Sequence, residues 1–184
     1  MSNTTTQKST LPASSLLNKT DQQYDYVDSY SSVIELHRQS LRIEDVGKAF
    51  FSAPPSWVDN LFVIRDRIVR LFGLKTSGVI NDRQPLLDNF KCEVGEQMGS
   101  FKVFSKNERE VILGKDDKHL DFRVSLFICA PSQVHGEELI VSTVVIFNSW
   151  LGQLYFLPVK QFHRLIVPTI LKGMVKRLQM DKGS

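Results

Sequence analysis

The chain has 184 residues, 42% of them hydrophobic, so it is long enough to bury a sizeable core within one domain. Its 23 Lys and Arg residues against 20 Asp and Glu residues leave a formal net charge of +3, which is too balanced to indicate nucleic-acid binding by the whole molecule. The two cysteines form no CxxC pair and have no histidine at ligand spacing, which predicts reduced thiols and argues against a metal site.

No segment has the character of a membrane anchor or a secretory signal. The first residues lack a basic start followed by an apolar run. The longest apolar-rich segment, Leu139 to Phe147, is too short to cross a bilayer and contains Ser142 and Thr143. We therefore expect a cytoplasmic protein without a membrane span.

Residues 1–23 are dominated by polar side chains, since 14 of them are Ser, Thr, Asn or Gln. Such a segment has little apolar surface to bury, which predicts a disordered tail. A single domain is expected over residues 24–180. Its first strand is indicated by Tyr24, Val27 and Tyr30, which alternate imperfectly with polar residues.

Two amphipathic helices are predicted next. Ile43, Val46 and Phe50 follow helical spacing and indicate a short helix with Ser40 as its candidate N-cap. A second helix, capped by Ser56, carries the clearest apolar stripe of the chain: Trp57, Leu61, Ile64, Ile68, Leu71 and Phe72.

Residues 74–98 show no steady period and contain several glycine and proline breakers. Two interpretations stay open for this long connection. It could form the rim or lid of a site, or it could contain a short strand or turn.

From Ser100 onward the apolar period changes to two, which is typical of strands. Phe101 and Val103, followed by Val111 and Leu113, predict a hairpin around residues 106–108. The segment from Leu120 to Ile128 alternates without a break. Residues 139–148 are apolar on both faces, as expected of a central strand.

A last helix is predicted from Pro158 to about Leu178. Phe162, Leu165 and Ile166 cluster on one side of it, whereas the apolar residues after Pro168 cluster on another. A proline inside a helix removes a backbone hydrogen bond, so this change of side predicts a bend over a curved sheet. A bent helix on a curved sheet would enclose an apolar cavity.

Three segments of the chain carry a family resemblance: AFFSAPPSWVDNLFVIRDRIVRLFGLK at Ala49–Lys75, DKHLDFRVSL at Asp117–Leu126 and GQLYFLPVKQFHRLIVPTIL at Gly152–Leu171. Together they resemble a bacterial family, domain of unknown function family 2867, which is grouped with the START/SRPBCC-like helix-grip superfamily. The resemblance implies an α+β fold in which a curved antiparallel sheet wraps around a long C-terminal helix. It supplies no catalytic residue.

Some relatives in that family look fused to a short-chain dehydrogenase domain. This resemblance implies work beside a separate oxidoreductase. The chain itself has no GxGxxG motif and no room for such a domain.

Five residues are candidates for a ligand site, each with a plainer alternative. Arg65 could reach a cavity mouth or be a surface arginine lying along its helix. Asp121 and Arg123 share one strand face and could orient a polar ligand group, or they could face solvent on the convex side. His163 could be a general acid or base, or a surface or hydrogen-bonded core histidine. Ile166 is expected to line the cavity from the helix side.

Three functions follow from these patterns. The first is a module that binds an apolar or amphipathic small molecule. The second is a cyclase- or isomerase-type enzyme that uses a cavity acid or base. The third is a protein-interaction domain with a filled core. We expect no cofactor, no metal and no nucleic acid as a partner.

Overall fold

The computed structural model describes residues 5–19, 22–35, 40–54, 87, 89–130 and 137–181. The second predicted helix, with Trp57 and Arg65, lies outside the described residues, as do residues 74–86 of the predicted connection.

The described residues build a seven-stranded antiparallel sheet in the order β1-β2-β7-β6-β5-β4-β3. Its strands are β1 (Thr6–Ser9), β2 (Tyr26–Ile34), β3 (Gln97–Met98), β4 (Phe101–Lys106), β5 (Glu110–Lys115), β6 (Leu120–Cys129) and β7 (Glu137–Phe147). The hairpin β4–β5 and the long strand β6 confirm the predictions made from the two-residue period. The short strand β3 is the element that one interpretation of residues 74–98 proposed.

Among the described residues, two helices cover one side of the sheet, which we call the helix face. The first, α1 (Ile43–Ser52), packs on β5 and β6, and the second, α2 (Trp150–Asp181), packs on β2 and β7. The helices meet closely, because a Cβ on Gly173 would lie 2.9 Å from the Ala53 carbonyl oxygen. The predicted α+β class, with a long C-terminal helix packed against an antiparallel sheet, is confirmed.

Strand β7 is an interior strand of the sheet, as its continuous apolar sequence predicted. It pairs with β2 on one side and β6 on the other. Val141 contributes to the main core under the helices, while Val144, which points the other way, packs with Leu17 and Ile112. Both faces of the sheet therefore bury side chains, and we call the second one the opposite face.

The expected disordered tail is wrong for residues 5–19. Residues Thr6–Ser9 form an edge strand on β2, and Leu16–Lys19 form a 3-10 helix that crosses the opposite face. Leu17 is only 4% exposed there. The polar composition of this segment led to the wrong prediction. A few apolar side chains, together with backbone hydrogen bonds to the sheet, are sufficient to order a segment that packs on an already folded surface.

The long helix α2 begins at Trp150 rather than at the predicted Pro158, which lies inside it. Ser149 explains the earlier start: its hydroxyl accepts a hydrogen bond from the Gly152 N–H at 3.2 Å, which is the bond an N-cap residue makes. Gly152 itself is required for close packing, because a Cβ there would lie 2.1 Å from the His119 carbonyl oxygen.

The predicted change of side along α2 is also wrong. Phe162 and Leu165 are 38% and 64% exposed, so neither belongs to the inner side. The positions that face the sheet form one stripe: Gly152, Phe156, His163, Val167, Ile170, Leu171, Met174, Val175 and Leu178. A polar residue, His163, occupies the stripe, and its presence there disguised the helical period.

Smaller corrections concern the other element boundaries. Helix α1 follows Arg42 and has no side-chain cap, so Ser40 is not its N-cap; Glu44 and Asp45 in the first turn complement the helix dipole instead. Strand β2 begins at Tyr26, later than predicted. Within the described ranges, no helix is long and apolar enough to cross a membrane.

Replacing Leu17 by alanine should destabilise the protein by about 2 to 5 kcal/mol, because it removes a buried leucine from a packed cluster. The matched control is Leu165→Ala, the same deletion at a site that is 64% exposed, for which we expect a change of less than about 0.5 kcal/mol. Urea titration of both variants measures the free energies of unfolding. Equal values would mean that residues 10–19 do not pack on the sheet.

Candidate functional site

A polar pair connects the sheet to α2 on the helix face. Asp28 lies on β2 and is 8% exposed, while His163 lies on the inner stripe of the helix. The His163 Nδ1 atom is 3.1 Å from the Asp28 Oδ2 atom, and the Tyr26 hydroxyl donates to the same oxygen at 2.7 Å. Residues 26 and 28 share one strand face, so the period of two brings both under the helix.

Two buried oxygens beside this pair have no hydrogen-bond partner among the described residues. They are Asp28 Oδ1 and Thr143 Oγ1, and the second residue is only 3% exposed. Asp28 and Thr143 are directly opposite each other on β2 and β7. Buried polar groups are nearly always hydrogen-bonded, so this position can accept a water molecule or a hydrogen-bonding group of a ligand.

The Tyr26 hydroxyl stays protonated in this environment. Burial raises its pKa most strongly, and the hydrogen bond and negative charge of Asp28 raise it further. The Tyr26 ring lies edge-on to Phe156 at 4.9 Å, with the Lys160 ammonium 5.2 Å from the Tyr26 ring centroid. Tyr26 therefore acts as a fixed hydrogen-bond donor to Asp28 rather than as a proton acceptor.

A pocket of about 240 Å³ lies on the opposite face of the sheet. Residues of the N-terminal segment form one wall and residues of β4 to β7 form the other. Its lining is Leu16, Leu17, Gln22, Tyr24, Phe104, Ser105, Ile112, Asp121, Arg123, Val144 and Ile146. The pocket is mostly apolar, with one acidic and one basic side chain.

Arg123 crosses β5 to reach Phe104, and its guanidinium carbon lies 3.5 Å from that ring centroid. Gly114 makes this crossing possible, because a Cβ there would lie 2.9 Å from the Arg123 Cδ atom. The guanidinium donates to the Phe122 carbonyl at 2.9 Å and to the Asp116 carboxylate at 2.5 Å. Arg123 is thus a rigid, charge-paired side of the pocket.

Asp121 is the acidic group of the pocket. Its Oδ1 atom accepts the Asp117 backbone N–H at 2.8 Å. No described residue bonds to its other carboxylate oxygen. Asp121 can therefore accept a hydrogen bond from a ligand without losing the turn that it holds.

The predicted site residues are divided between the two faces. Asp121 and Arg123 share one strand face, as predicted, and line the pocket on the opposite face. Arg123 forms its ion pair with Asp116. His163 lies under α2, and Ile166 is partly buried against the main core.

Sequence analysis missed Asp28, Thr143 and Phe104. Asp28 had a local signal, since Tyr26, Asp28 and Tyr30 alternate along β2. Thr143 had none, because its partner position depends on the pairing of β2 with β7. Phe104 lies at an irregularity in the β4–β5 register, which a strict period of two does not predict.

Neither thiol is placed for nucleophilic chemistry. Cys92 and Cys129 are free, and burial raises the pKa of the Cys92 thiol to about 12. Burial also raises the pKa of Cys129. In the part of the chain that the structure describes, no group of three or more His, Cys, Asp or Glu side chains could hold a metal ion.

Fold and site together define an α+β protein with one long helix on an antiparallel sheet and a small pocket on the other side. A family model described as "Protein of unknown function (DUF2867)" matches residues 21–170, and the chain belongs to that family. Neither a curated protein nor a solved structure gives a significant match.

Replacing His163 by leucine should destabilise the protein by about 1 to 3 kcal/mol, because the buried Asp28 carboxylate then keeps only the Tyr26 hydroxyl. Gln161→Leu, an exposed position on the same helix, serves as the control and should change stability little. Denaturant titration at neutral pH compares the two. A Gln161 effect as large as that of His163 would show that α2 is wrongly oriented on the sheet.

Proposed function

We propose that this protein binds a small, uncharged amphipathic molecule in the pocket on the opposite face. The observation that carries the proposal is the pocket itself, which combines an apolar lining with a few polar groups in the manner of small-molecule sites. Ile112 and Val144 form its apolar floor on the sheet, and Leu17 packs against them from the N-terminal wall. Asp121 and Tyr24 place polar atoms at its walls.

The volume limits the size of the ligand. An apolar cavity of about 150 Å³ is known to hold benzene, whereas sites for drug-sized molecules measure about 300 to 1,000 Å³. A pocket of about 240 Å³ therefore fits one substituted ring or two fused rings. Sterols and long fatty acids are too large for it.

The charges of the lining favour a neutral ligand. Arg123 is already paired with Asp116, so its charge does not require a ligand anion. Asp121 has a carboxylate oxygen that no described residue occupies and can accept a ligand hydroxyl. An anion would be repelled by Asp121 and would compete with Asp116 for the guanidinium.

The proposed ligand pocket is not the cavity that the sequence predicted between the sheet and α2, because it lies on the opposite face. On the helix face Leu171, Met174 and Val175 are fully buried in the main core. We also propose that the fold is a variant of the START/SRPBCC-like helix-grip architecture. Its support is the antiparallel sheet with a C-terminal helix across it.

The other two predicted functions remain predictions. The Asp28–His163 pair is the arrangement that an enzyme with an acid or base would need, since the carboxylate orients the imidazole. An interaction domain would use exposed apolar residues such as Trp150 and Leu157, which are 70% and 63% exposed. The pocket is the more specific feature, because apolar and polar groups converge in it.

The neutral compound 1-naphthol should raise the melting temperature. At ten times its dissociation constant a ligand adds about 1.4 kcal/mol, which corresponds to a shift of about 3 to 6 °C for a chain of this size. The anion 1-naphthoate, of similar shape, should give a smaller shift. Differential scanning fluorimetry measures both.

Two tryptophan variants locate the bound compound. Ile146→Trp should fill the pocket from its rim and remove the 1-naphthol shift, because Ile146 lines the pocket and is not fully buried. Val33→Trp is the control: Val33 is a 40% exposed residue of β2 and lies outside the pocket lining. A shift that survives Ile146→Trp, or the absence of any shift in the natural sequence, would refute binding at this pocket.

A further inference from the structure

Residues 10–19, which we call the strap, form one wall of the proposed ligand pocket. The strap leaves the sheet after β1, crosses the opposite face and contributes Leu16 and Leu17 to the lining. Tyr24, on the return to β2, completes this wall. A ligand under the strap would lie between it and the sheet.

A buried carboxylate fastens the strap to the sheet. Glu110 on β5 is completely buried, and two of its hydrogen bonds come from the strap. The Ser15 hydroxyl donates at 2.5 Å and the Leu16 backbone N–H donates at 2.6 Å. The Ser125 hydroxyl of β6 donates a third bond at 2.5 Å. A buried hydrogen bond is costly to lose, so Glu110 is the main polar attachment of the strap.

The apolar attachment is smaller. Leu17 is the strap residue that is fully buried against Ile112 and Val144, while Leu11 and Leu16 are only partly buried. The Tyr24 hydroxyl adds one hydrogen bond to the Leu17 carbonyl at 2.8 Å. A segment with few buried apolar contacts opens at a lower free energy than the strands of a packed sheet.

Both ends of the strap belong to the sheet, which makes it a hinged element. Before it, Thr6–Ser9 pairs with β2, and after it the chain enters β2 at Tyr26. The strap can therefore leave the opposite face without breaking the strand pairing on either side.

We infer that the strap is the gate of the ligand pocket and that Glu110 is its catch. The inference rests on the proposed binding function. A ligand enters when the Ser15 and Leu16 bonds to Glu110 release, and a bound ligand holds the strap closed through contact with Leu16 and Leu17. Binding and strap closure are thus coupled equilibria.

Amide hydrogen exchange of the full chain tests the inference directly, because the Leu16 N–H reports on the catch. In the free protein it should exchange at least about 100-fold faster than amides of β7 such as Val141, which lies in the centre of the sheet. Exchange as slow as that of β7 would mean that the strap opens only when the whole protein unfolds, and the gate would be refuted.

Variants separate the catch from general destabilisation. Ser15→Ala removes one strap bond to Glu110 and should speed Leu16 exchange by about 10-fold. Amides of β7 that exchange by global unfolding should speed up by the same factor, because the closed native state is the state that loses the bond. Glu110→Gln keeps the shape of the side chain and should act in the same direction. Ser52→Ala is the matched control, because its hydroxyl bonds to the Lys48 carbonyl in α1, away from the strap. Met174→Ala separates local from global opening, because it removes a fully buried side chain from the main core and should speed β7 exchange while leaving Leu16 exchange unchanged. Equal acceleration at Leu16 and β7 in Met174→Ala would contradict a local gate.

The ligand arm uses 1-naphthol at ten times its dissociation constant. Because the free fraction then falls about 11-fold, Leu16 exchange should slow by the same factor. If 1-naphthol raises the melting temperature but leaves Leu16 exchange unchanged, the ligand binds without engaging the strap and the gate is wrong. If 1-naphthol does not bind, the proposed function fails and the gate fails with it, whatever the free-protein exchange shows about strap opening.

Discussion

The hydrogen bonds that Glu110 accepts from Ser15 and Leu16 attach the N-terminal segment to the opposite face of the sheet. The sheet needs this cover because both of its faces carry side chains that must be shielded from water. The central strand β7 buries side chains on both faces, so a single helical layer cannot complete the core. Helices α1 and α2 cover one face with a large apolar surface. The N-terminal residues cover the other face. They have few apolar side chains, so the hydrogen bonds to the Glu110 carboxylate fix their position on the sheet.

The helices on one face bury much more apolar surface than the N-terminal segment on the other. The two faces therefore differ in how tightly their side chains are packed. Under α2 the side chains are closely packed and the Asp28–His163 pair is held between a strand and a helix. On the other face the cover is thin, and a pocket remains between Leu17 and the Arg123 side chain. The helix face thus holds polar side chains in fixed positions, whereas the opposite face contains the pocket for the proposed ligand beneath a thinly attached segment.

Sequence patterns predicted the parts of the fold that depend on local period. Strands β4 to β6 followed from the period of two, β7 followed from its continuous apolar run, and the α+β class followed from the order of these strands with the helices. The inner side of α2 was missed because His163 lies on it, where an apolar residue was expected, and only its Asp28 partner makes that position tolerable. The strap and the pocket depend on contacts between residues far apart in the chain, which composition does not report.

The separation in sequence of Ser15 and Glu110, 95 residues, has a consequence for the order of events during synthesis. The strap leaves the ribosome before β5 and has no surface to bind until β5 has been made. Strand β2 likewise waits for β7, since Tyr26 pairs with Val145. Loop closures of this length slow folding, so the nascent chain exposes unpaired strand edges until β7 has been made. A chaperone that holds the strap and β2 before β5 and β7 emerge would therefore act on an obligatory stage of this protein's folding.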